Sequence, residues 1–479
     1  MSYLALLPAM LMALFACATL LLDVLTRGGD ERRAGPIWFN LIWFNLVGQA
    51  LIGFSLLRQW HALQGIRPGE HIAAWQNAIA IDTLSLFTNV LVWLAVVTLL
   101  LTSYRFLEIV HEQRGEYYAL AVFAQCGMYF MASGIDLISL FVGLELTAMS
   151  FYILVGFTRA DQRSNEAALK YLLLGAVASG FVLYGFSLLY GIAGSTALAD
   201  IAGAVKAGDP FTQVAAITIT VGLLFKVSAA PFHNWAPDAY DGAPTPIAGY
   251  LSVASKIASF AILMRLPLGG VVWISILKVA AILSLTIGSI AAITQDRVKR
   301  LFAYSGIAHA GYALLGLVAG SAQGVYVYLL VYAVMNLGAF AVLTSLRRRG
   351  VLGERLSDLR GLSQTHPFHA ALFSILLLSL AGVPPTAGFI GKYVIFAALL
   401  QTGHVGLAIV AALYVVVSLY FYFRLVREMY LEPFVKTPAI REPLAASFGI
   451  RIALLGTVAA TLLLGLFPQP ALTLLSYSR

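Results

Sequence analysis

Charged residues are scarce in this chain. Asp, Glu, Lys and Arg make up 11% of its 479 residues, against about 25% in soluble domains, while hydrophobic residues make up 60%. This composition excludes a soluble enzyme and predicts an all-α polytopic membrane protein. Cysteine is scarcer still. Cys17 and Cys126 lie in separate apolar runs without a C-x-x-C spacing, which argues against a disulfide framework and against a cysteine metal centre.

Motifs for nucleotides and metals are also missing. Gly391-Lys392 is followed by Tyr393, so it is not a phosphate-binding loop, and no G-x-G-x-x-G sequence follows a strand pattern. His366-x-x-His369 is interpreted as a helix start rather than as a metal site. No basic residue precedes the first apolar run, so a cleaved signal peptide is not expected. We therefore expect no cofactor and no metal in this chain.

Long apolar runs are abundant instead. A helix needs about 20 apolar residues to cross the hydrocarbon core of a bilayer. Fourteen runs of roughly that length occur in the sequence, at about 3–25, 37–57, 79–102, 117–133, 135–157, 166–191, 212–231, 243–266, 271–293, 302–320, 324–346, 368–400, 404–424 and 450–474. We therefore predict about fourteen transmembrane helices.

The loops between these runs carry most of the Lys and Arg residues. Odd-numbered loops hold 20 of them, with Arg347-Arg348-Arg349 in the eleventh, and even-numbered loops together with the C-terminal end hold 5. Positive residues stay on the cytoplasmic side of a membrane. The bias predicts a multi-pass protein of the cell's inner (cytoplasmic) membrane with both termini on the periplasmic side. It also accounts for the net charge of +8 without nucleic-acid binding.

Two of the runs are interrupted by proline. Pro231 follows Lys226 in the seventh run, and Pro384-Pro385 precede Lys392 in the twelfth. Proline removes a backbone donor, and at membrane depth the freed carbonyl groups must face protein or water. Paired interrupted helices are typical of inverted-repeat transporters. We therefore divide the chain into three N-terminal helices (1–103), two five-helix repeats (117–266, helices 4–8, and 271–430, helices 9–13) and a C-terminal helix (450–479).

Several ionisable residues lie inside the apolar runs. They are Glu145, Lys226, Lys256, Lys278, His309 and Lys392. A charge at the bilayer centre costs about 2.5–3.5 kcal/mol on insertion scales, so such residues are functional candidates by default. Because they are spread over separate helices, they indicate a path for protons or cations.

Glu145 and Lys226 are the best candidates for a charge pair. Glu145 lies about ten residues into the fifth run, roughly 15 Å deep, and Lys226 lies at a comparable depth in the seventh. A carboxylate at that depth takes up a proton unless an opposite charge is near. The pair would act as a switch, since the lysine keeps its proton while paired and releases it when the carboxylate is neutralised or turns away. A static structural salt bridge is the alternative.

Three further residues extend this row. Lys256 lies near the middle of the eighth run, too deep to reach the interface easily. His309 titrates near neutral pH, which suits a proton relay, although a hydrogen-bonded core histidine is the alternative. Lys392 follows the break in the twelfth run and forms the far end of the row.

Lys278 and Lys170 lie closer to the ends of their helices. Lys278 is about seven residues into the ninth run and Lys170 about four into the sixth, so both side chains can reach the interface. Glu166, four residues before Lys170, predicts an ordinary helical ion pair. Position alone therefore makes both lysines peripheral.

Five blocks of sequence carry a family resemblance. They span residues 116–119, 136–146, 166–175, 225–246 and 299–312. Over nearly the whole chain, and in the expected order, they resemble the antiporter-like membrane subunits of complex I, the bacterial proton-pumping NADH:quinone oxidoreductase. Within that family the resemblance is greatest to the subunit N branch.

The resemblance implies a fourteen-helix core with two inverted five-helix repeats in the membrane arm of that complex. It implies proton translocation driven by quinone reduction elsewhere, by a subunit of a NADH:quinone oxidoreductase that has no redox site of its own. NAD, FMN, iron–sulfur clusters and quinone are then expected in partner subunits. The partners it implies are other membrane-arm subunits, both homologous antiporter-like ones and small ones, besides the lipid bilayer and protons.

The resemblance also assigns proton-relay roles to matching positions. These are Glu145 with its partner Lys226, the central Lys256, the terminal Lys392 and Lys170 of the sixth helix. Lys170 enters on resemblance alone, His309 completes the predicted relay, and Lys278 matches no motif. One departure is Gly306, where a second serine after Ser305 is usual, so that a hydroxyl near His309 is missing.

Two other functions stay open. A subunit of a multisubunit cation/proton antiporter shares this fold and the glutamate–lysine pair, although the sixth-helix and Lys392 blocks match subunit N more closely. A scaffold that has lost pumping would only bridge other subunits, although every motif charge is retained.

Overall fold

The computed structural model describes residues 2–26, 34–65, 70–110, 112, 114–206, 208–347, 353–432, 447–470 and 472. Within them the chain is almost entirely helical, which confirms the predicted class, and each of the fourteen predicted runs falls on helical structure. Positions 471 and 473–479 of the predicted C-terminal segment lie outside the described residues, as do Arg348 and Arg349 of the eleventh loop.

The first part of the chain contains nine helices and a small hairpin among its described residues. In order they are α1 Ser2–Thr26, α2 Ala34–Leu63, β1 Ile72–Ala74, β2 Ile79–Ile81, α3 Thr83–Val110, α4 Gly115–Ser133, α5 Leu137–Val155, α6 Gln162–Ala193, α7 Leu198–Ala204, α8 Pro210–Lys226 and α9 Trp235–Gly242. The side chains of Asp136, Asp161 and Asp209 accept backbone N–H groups at the starts of α5, α6 and α8. These caps satisfy donors that a helix start leaves unpaired, so they fix where each helix begins.

The second part continues with α10 Thr245–Tyr250, a π-helical turn Leu251–Ser255, α11 Lys256–Arg265, α12 Val271–Ile293, α13 Val298–Val318, α14 Ala322–Leu346, a 3₁₀ turn Leu356–Leu359, α15 Leu362–Thr365, α16 Pro367–Ala381, α17 Ala387–Gln401, α18 Val405–Tyr430 and α19 Phe448–Leu466. Ser321 and Ser447 cap α14 and α19 through their hydroxyl groups. Gly382, with φ of 89°, ends α16 in the left-handed region that glycine adopts without steric cost.

Helix length and composition agree with a membrane protein. Eleven helical stretches among the described residues are long and apolar enough to cross a membrane. One of them runs over Thr245–Arg265 and joins α10, the π-helical turn and α11. Three shorter apolar helices, α8, α16 and α17, belong to the two spans that were predicted to be broken.

Both predicted breaks are present. α8 ends at Lys226, the chain passes through a cis Ala230–Pro231 bond, and helix resumes as α9 at Trp235. α16 ends at Ala381, the chain passes through a cis Pro384–Pro385 bond, and helix resumes as α17 at Ala387. Each break therefore interrupts the regular hydrogen bonding of a helix beside a lysine.

The two predicted repeats begin with similar helix pairs. A Cβ placed on Gly127 of α4 would lie 2.7 Å from the carbonyl oxygen of Gly143 on α5. A Cβ placed on Gly288 of α12 would lie 2.6 Å from the backbone nitrogen of Ala308 on α13. Small residues allow helix backbones to approach closely in membranes. Both pairs are therefore held by direct backbone contact.

The π-helical turn Leu251–Ser255 is not foreseen from the sequence. It lies directly before Lys256, within an otherwise continuous helical span. Isolated π-helical turns occur mostly inside α-helices and frequently at functional sites. The apolar pattern is the same for an α and a π turn, because the two differ in backbone hydrogen bonding and not in composition.

A short hairpin between α2 and α3 is a second difference from the prediction. Strand β1 pairs antiparallel with β2, and the turn between them holds three residues with positive φ, Trp75 to Asn77. Strands of three residues are too short to give a period-two signal. Directly after β2, Asp82 accepts both terminal nitrogens of Arg265 at 2.8 and 3.0 Å, which ties the hairpin to the end of α11.

Candidate functional site

Lys226 lies buried at the first break, and Glu145 is half-buried and does not touch it. Lys226 is the last residue of α8 and is 6% exposed. Its Nζ and the Oε1 of Glu145 on α5 find no hydrogen-bond partner among the described residues. The aromatic ring of Tyr152, also on α5, lies 5.9 Å from Nζ. The expected contact pair is therefore a separated pair in this structure.

Aromatic packing fixes the break that presents Lys226. Trp235, the first residue of α9, donates through Nε1 to the carbonyl oxygen of Phe225 at 2.9 Å. Its ring stacks on Tyr171 of α6 with centroids 4.3 Å apart. On the far side, the backbone N–H of Ala230 donates to Ser284 of α12 at 2.8 Å. These bonds satisfy groups that the interrupted helix leaves free.

Lys256 joins the end of the first predicted repeat to the second. It begins α11 directly after the π-helical turn and is 3% exposed. Its Nζ donates to the carbonyl oxygen of Gly306 on α13 at 2.5 Å. The ring of Tyr332 on α14 lies 5.4 Å from the same ammonium group. Tyr332 in turn donates to the carbonyl oxygen of Ser252, within the π-helical turn.

His309 is hydrogen-bonded on both sides of its ring. Nδ1 contacts the hydroxyl of Tyr328 at 2.7 Å, and Nε2 contacts the hydroxyl of Tyr422 at 3.2 Å. Tyr422 on α18 also bonds to the hydroxyl of Ser305, one turn before His309. A tyrosine hydroxyl can both donate and accept. The histidine is therefore part of a polar network and not an isolated core residue.

Lys392 bridges the second break. It lies on α17 and is 4% exposed. Its Nζ donates to the carbonyl oxygens of Ala381 at 2.7 Å and Leu380 at 3.2 Å, which are the last residues of α16. A positive charge is favourable at the C-terminal end of a helix. The ring of Tyr312 on α13 lies 5.2 Å from Nζ.

Three of the predicted relay residues therefore form one buried row. The ring of His309 lies 5.1 Å from that of Tyr332, which also faces Lys256, and 6.5 Å from that of Tyr312, which also faces Lys392. The row is lined by four buried tyrosines that sequence reasoning missed, Tyr312, Tyr328, Tyr332 and Tyr422. A signal was available: Tyr328, Tyr332 and Asn336 recur every four residues on the apolar α14, which places them on one face.

The two peripheral lysines lie outside this row. The Lys170 side chain is 47% exposed; it contacts Glu166 at 2.6 Å, as its spacing predicts, and Asp238 on α9 at 3.1 Å. Lys278 is partly exposed on α12. The structure thus separates Lys170 from the buried row and gives it an acidic partner that the sequence did not reveal.

A network of charges at the start of α13 also escaped the sequence reasoning. Arg300 contacts Asp238 at 2.5 Å, and Glu354 contacts Lys299 at 3.0 Å and Arg297 at 2.8 Å. Burial acts to raise the pKa of Asp238, but hydrogen bonds from Arg300 and Lys170 outweigh it and leave the pKa below its ordinary value.

Glu354 shows the same balance. Burial acts to raise its pKa, yet Lys299, Arg297 and Arg347 lower the pKa below its ordinary value of 4.5. The carboxylate is therefore held ionised by three basic side chains. Its backbone takes part as well, since the N–H of Val298 donates to the carbonyl oxygen of Glu354 at 2.7 Å.

The histidine pair near α16 shows no ligand geometry. The rings of His366 and His369 meet edge to face with centroids 6.3 Å apart. Among the described residues, no group of three or more His, Cys, Asp or Glu side chains is arranged to hold a metal ion.

Comparisons with known proteins identify the family of this chain. The family described as "NADH:quinone oxidoreductase/Mrp antiporter, TM" matches residues 134–418, more than half of the chain. NADH-quinone oxidoreductase subunit N 2 of Solibacter usitatus (strain Ellin6076) is 52% identical over 98% of this chain and 96% of that protein. Subunit N 1 of Koribacter versatilis (strain Ellin345) is 45% identical over 99% and 95%.

A solved structure resembles this chain over its whole length. In respiratory complex I from Thermus thermophilus with bound aureothin, one chain superposes with a TM-score of 0.82 at 34% identity. The match covers 97% of this chain and 98% of that one.

Proposed function

This chain belongs to the NADH-quinone oxidoreductase subunit N family, and we propose that it moves protons across the membrane as part of that complex. Quinone reduction elsewhere in the complex drives the movement, and partner subunits hold the NAD, FMN, iron–sulfur clusters and quinone. The observation that carries the proposal is the buried row Lys256–His309–Lys392. Three groups that can each hold one proton lie there in a largely apolar helix bundle, where unneeded charges are costly.

The Glu145–Lys226 pair of the first repeat supplies protons to the buried row. Lys226 keeps its proton while the carboxylate of Glu145 is ionised and close, and it loses the proton when that carboxylate is neutralised or turns away. Their separation in this structure corresponds to the unpaired arrangement of such a switch. Tyr152 lies beside both residues, and its hydroxyl also has no hydrogen-bond partner among the described residues. Water is the group that would bridge these atoms.

The second repeat carries the proton onward. A proton released near Lys256 reaches His309 through the hydroxyl groups around it, and each ring nitrogen already contacts a tyrosine. From His309 the proton passes to Lys392, whose ammonium group lies at the break of the twelfth span. Lys170 lies at the rim with Asp238 and serves proton uptake rather than transfer within the row.

The proposed placement follows the charge bias of the loops. The odd-numbered loops lie on the cytoplasmic side of the inner membrane, and both termini lie on its periplasmic side. The N-terminal helices span residues 1–103, and the last helix spans 450–479. The two inverted repeats lie between them, at 117–266 and 271–430. The neighbours are other membrane-arm subunits, including homologous antiporter-like subunits.

A subunit of a multisubunit cation/proton antiporter is the second candidate, because the matching family includes Mrp antiporters. The 52% identity to a subunit N over nearly the whole chain favours the first function. A pure scaffold is disfavoured, because a protein that only bridges others has no need of three buried lysines.

The test measures protons moved per NADH oxidised by the assembled complex in membrane vesicles. Glu145→Ala, Lys226→Ala and Lys256→Ala are each expected to lower that ratio. Lys278→Ala, a lysine outside the row, serves as the matched control and should leave the ratio unchanged. An unchanged ratio in all three relay variants would overturn the proposal.

A further inference from the structure

Two acidic and two basic residues join α9 to α13. Asp238 and Asp241 are three residues apart on α9, and Arg297 and Arg300 are three apart at the start of α13, so each pair lies on one face. Arg300 Nη1 donates to Asp238 Oδ1 at 2.5 Å, and Arg297 Nε donates to Asp241 Oδ1 at 2.7 Å. We call these four residues the aspartate–arginine clamp.

One end of the clamp is tied to the break beside Lys226. Trp235 begins α9, and its indole N–H donates to the carbonyl oxygen of Phe225, the residue directly before Lys226. α9 is a single eight-residue helix that carries both Trp235 and the two aspartates. A displacement of the chain at Lys226 is therefore passed to Asp238 and Asp241.

The other end of the clamp leads to Lys256. Arg300 lies six residues before Gly306 on α13, about 9 Å along the helix axis. The carbonyl oxygen of Gly306 accepts the hydrogen bond from Lys256, and His309 follows three residues later. α13 is buried along most of its length. A displacement of Arg300 along the helix therefore reaches the Lys256 contact.

Further ion pairs hold the clamp in place. Glu354 accepts Arg297 Nη2 at 2.8 Å, and Lys299 donates to the carbonyl oxygen of Ala243, directly after α9, at 3.0 Å. Asp238 accepts a second cation, Lys170. An isolated exposed ion pair contributes little to stability. Here several ion pairs share partners, so together they hold α9 against α13 more firmly than a single pair would.

From this geometry we infer that the aspartate–arginine clamp couples the break at Lys226 to the Lys256–Gly306 contact, so that proton transfers in the two repeats occur together. The inference rests on the proposed function. The four clamp residues are positioning residues, because none of them contacts the buried row directly. They act by setting where α9 and α13 lie relative to each other.

The test uses Asp241→Asn and Arg300→Gln in the complete complex. The quantities measured are the amount of assembled complex, the NADH oxidation rate per complex and the protons moved per NADH. Both variants should still oxidise NADH, and the proton ratio should fall to the level of Lys226→Ala. Asp241→Glu and Arg300→Lys keep the charge and should recover at least half of the loss.

Asp296→Asn is the matched control. It removes a carboxylate next to Arg297, but that carboxylate is 83% exposed and pairs with Arg424 on α18, so the proton ratio should not change. If clamp variants reduce only the amount of complex, and each assembled complex keeps the wild-type ratio, the clamp is merely structural and the inference is wrong. If Glu145→Ala, Lys226→Ala and Lys256→Ala all keep the wild-type ratio, the proposed function fails and the inference fails with it.

Discussion

The ammonium group of Lys256 donates a hydrogen bond to the backbone carbonyl oxygen of Gly306 at 2.5 Å. The contact depends on the missing side chain at position 306. A Cβ there would lie 3.2 Å from the hydroxyl of Tyr332 and 3.3 Å from Nζ of Lys256. Both distances are tight for a Cβ, so a larger residue must push the ammonium group or the tyrosine away. The ammonium group of Lys256 thus lies close to the space that the side chain of the usual serine would take at position 306.

Gly306→Ala should therefore impair proton translocation. The added methyl group weakens a hydrogen bond to a charged group, which is worth about 1.5–3 kcal/mol, and a loss of about 1.4 kcal/mol corresponds to roughly a tenfold slower transfer. Proton flux per assembled complex is the measurement. Gly180→Ala on α6 is the control, since a Cβ there meets no atom within 4 Å. Equal fluxes in the two variants would contradict the prediction.

Tyr422→Phe should block the row at His309. The change keeps the buried ring but removes the hydroxyl that links His309 to Ser305, which leaves buried polar atoms unpaired at about 1–3 kcal/mol. We expect the protons moved per NADH to fall as far as in His309→Ala.

Tyr414→Phe provides the comparison for this prediction. It removes a hydroxyl from the same helix, α18, but one that bonds to Thr286 at 2.7 Å outside the row. Its proton ratio should match that of the wild-type complex. A drop of the same size in both variants would mean that the tyrosine hydroxyls act by holding α18 in place and that Tyr422 has no specific role at His309.

Lys392 should have two separable roles, a helix cap and a proton carrier. Lys392→Met removes two charged hydrogen bonds at the end of α16, so amide protection at Gly382 and Val383 should fall about tenfold to hundredfold. Lys392→Arg keeps a cation that can cap the helix but cannot release a proton. It should restore protection in hydrogen-exchange measurements while proton translocation stays low. Normal translocation by the arginine variant would exclude Lys392 as a carrier.

Glu354→Gln should loosen the contact between α13 and the segment before α15 in a pH-dependent way. Breaking a buried ion pair costs about 3 kcal/mol, seen as faster exchange of the Val298 amide at pH 7. The pKa of Glu354 is lowered in the folded protein, so its stabilisation is present above pH 4.5 and is lost as the pH falls through the folded pKa. The difference between wild type and variant should therefore shrink below pH 4.5. Glu108→Gln, at an exposed pair with Arg105, should show no such difference.

Local composition was enough to predict the helices and their breaks. Hydropathy determines which segments enter a membrane, and proline removes a backbone donor wherever it stands. For the same reason, depth along a run correctly predicted that Lys226, Lys256 and Lys392 are buried. Their roles in proton transfer stay predictions.

Contacts between helices could not be predicted in the same way. Depth along an axis says nothing about how a helix is rotated or how far its neighbour lies, so it could not show that Glu145 and Lys226 do not touch. The hydroxyl of Tyr422 reaches His309 from a helix 113 residues further along the chain. The aspartate–arginine clamp likewise needs α9 and α13 to pack together, which no single run reveals.

The π-helical turn before Lys256 makes the length of this segment as important as its composition. Each residue of an α-helix advances the chain by about 100° around the axis. A π turn spreads one extra residue over nearly the same rotation, so removing one residue from Leu251–Ser255 would restore ordinary helix and leave Lys256 directed at Gly306. A single-codon deletion in this segment should therefore be less harmful than one elsewhere in Thr245–Arg265, and relatives without the π-helical turn should be one residue shorter here.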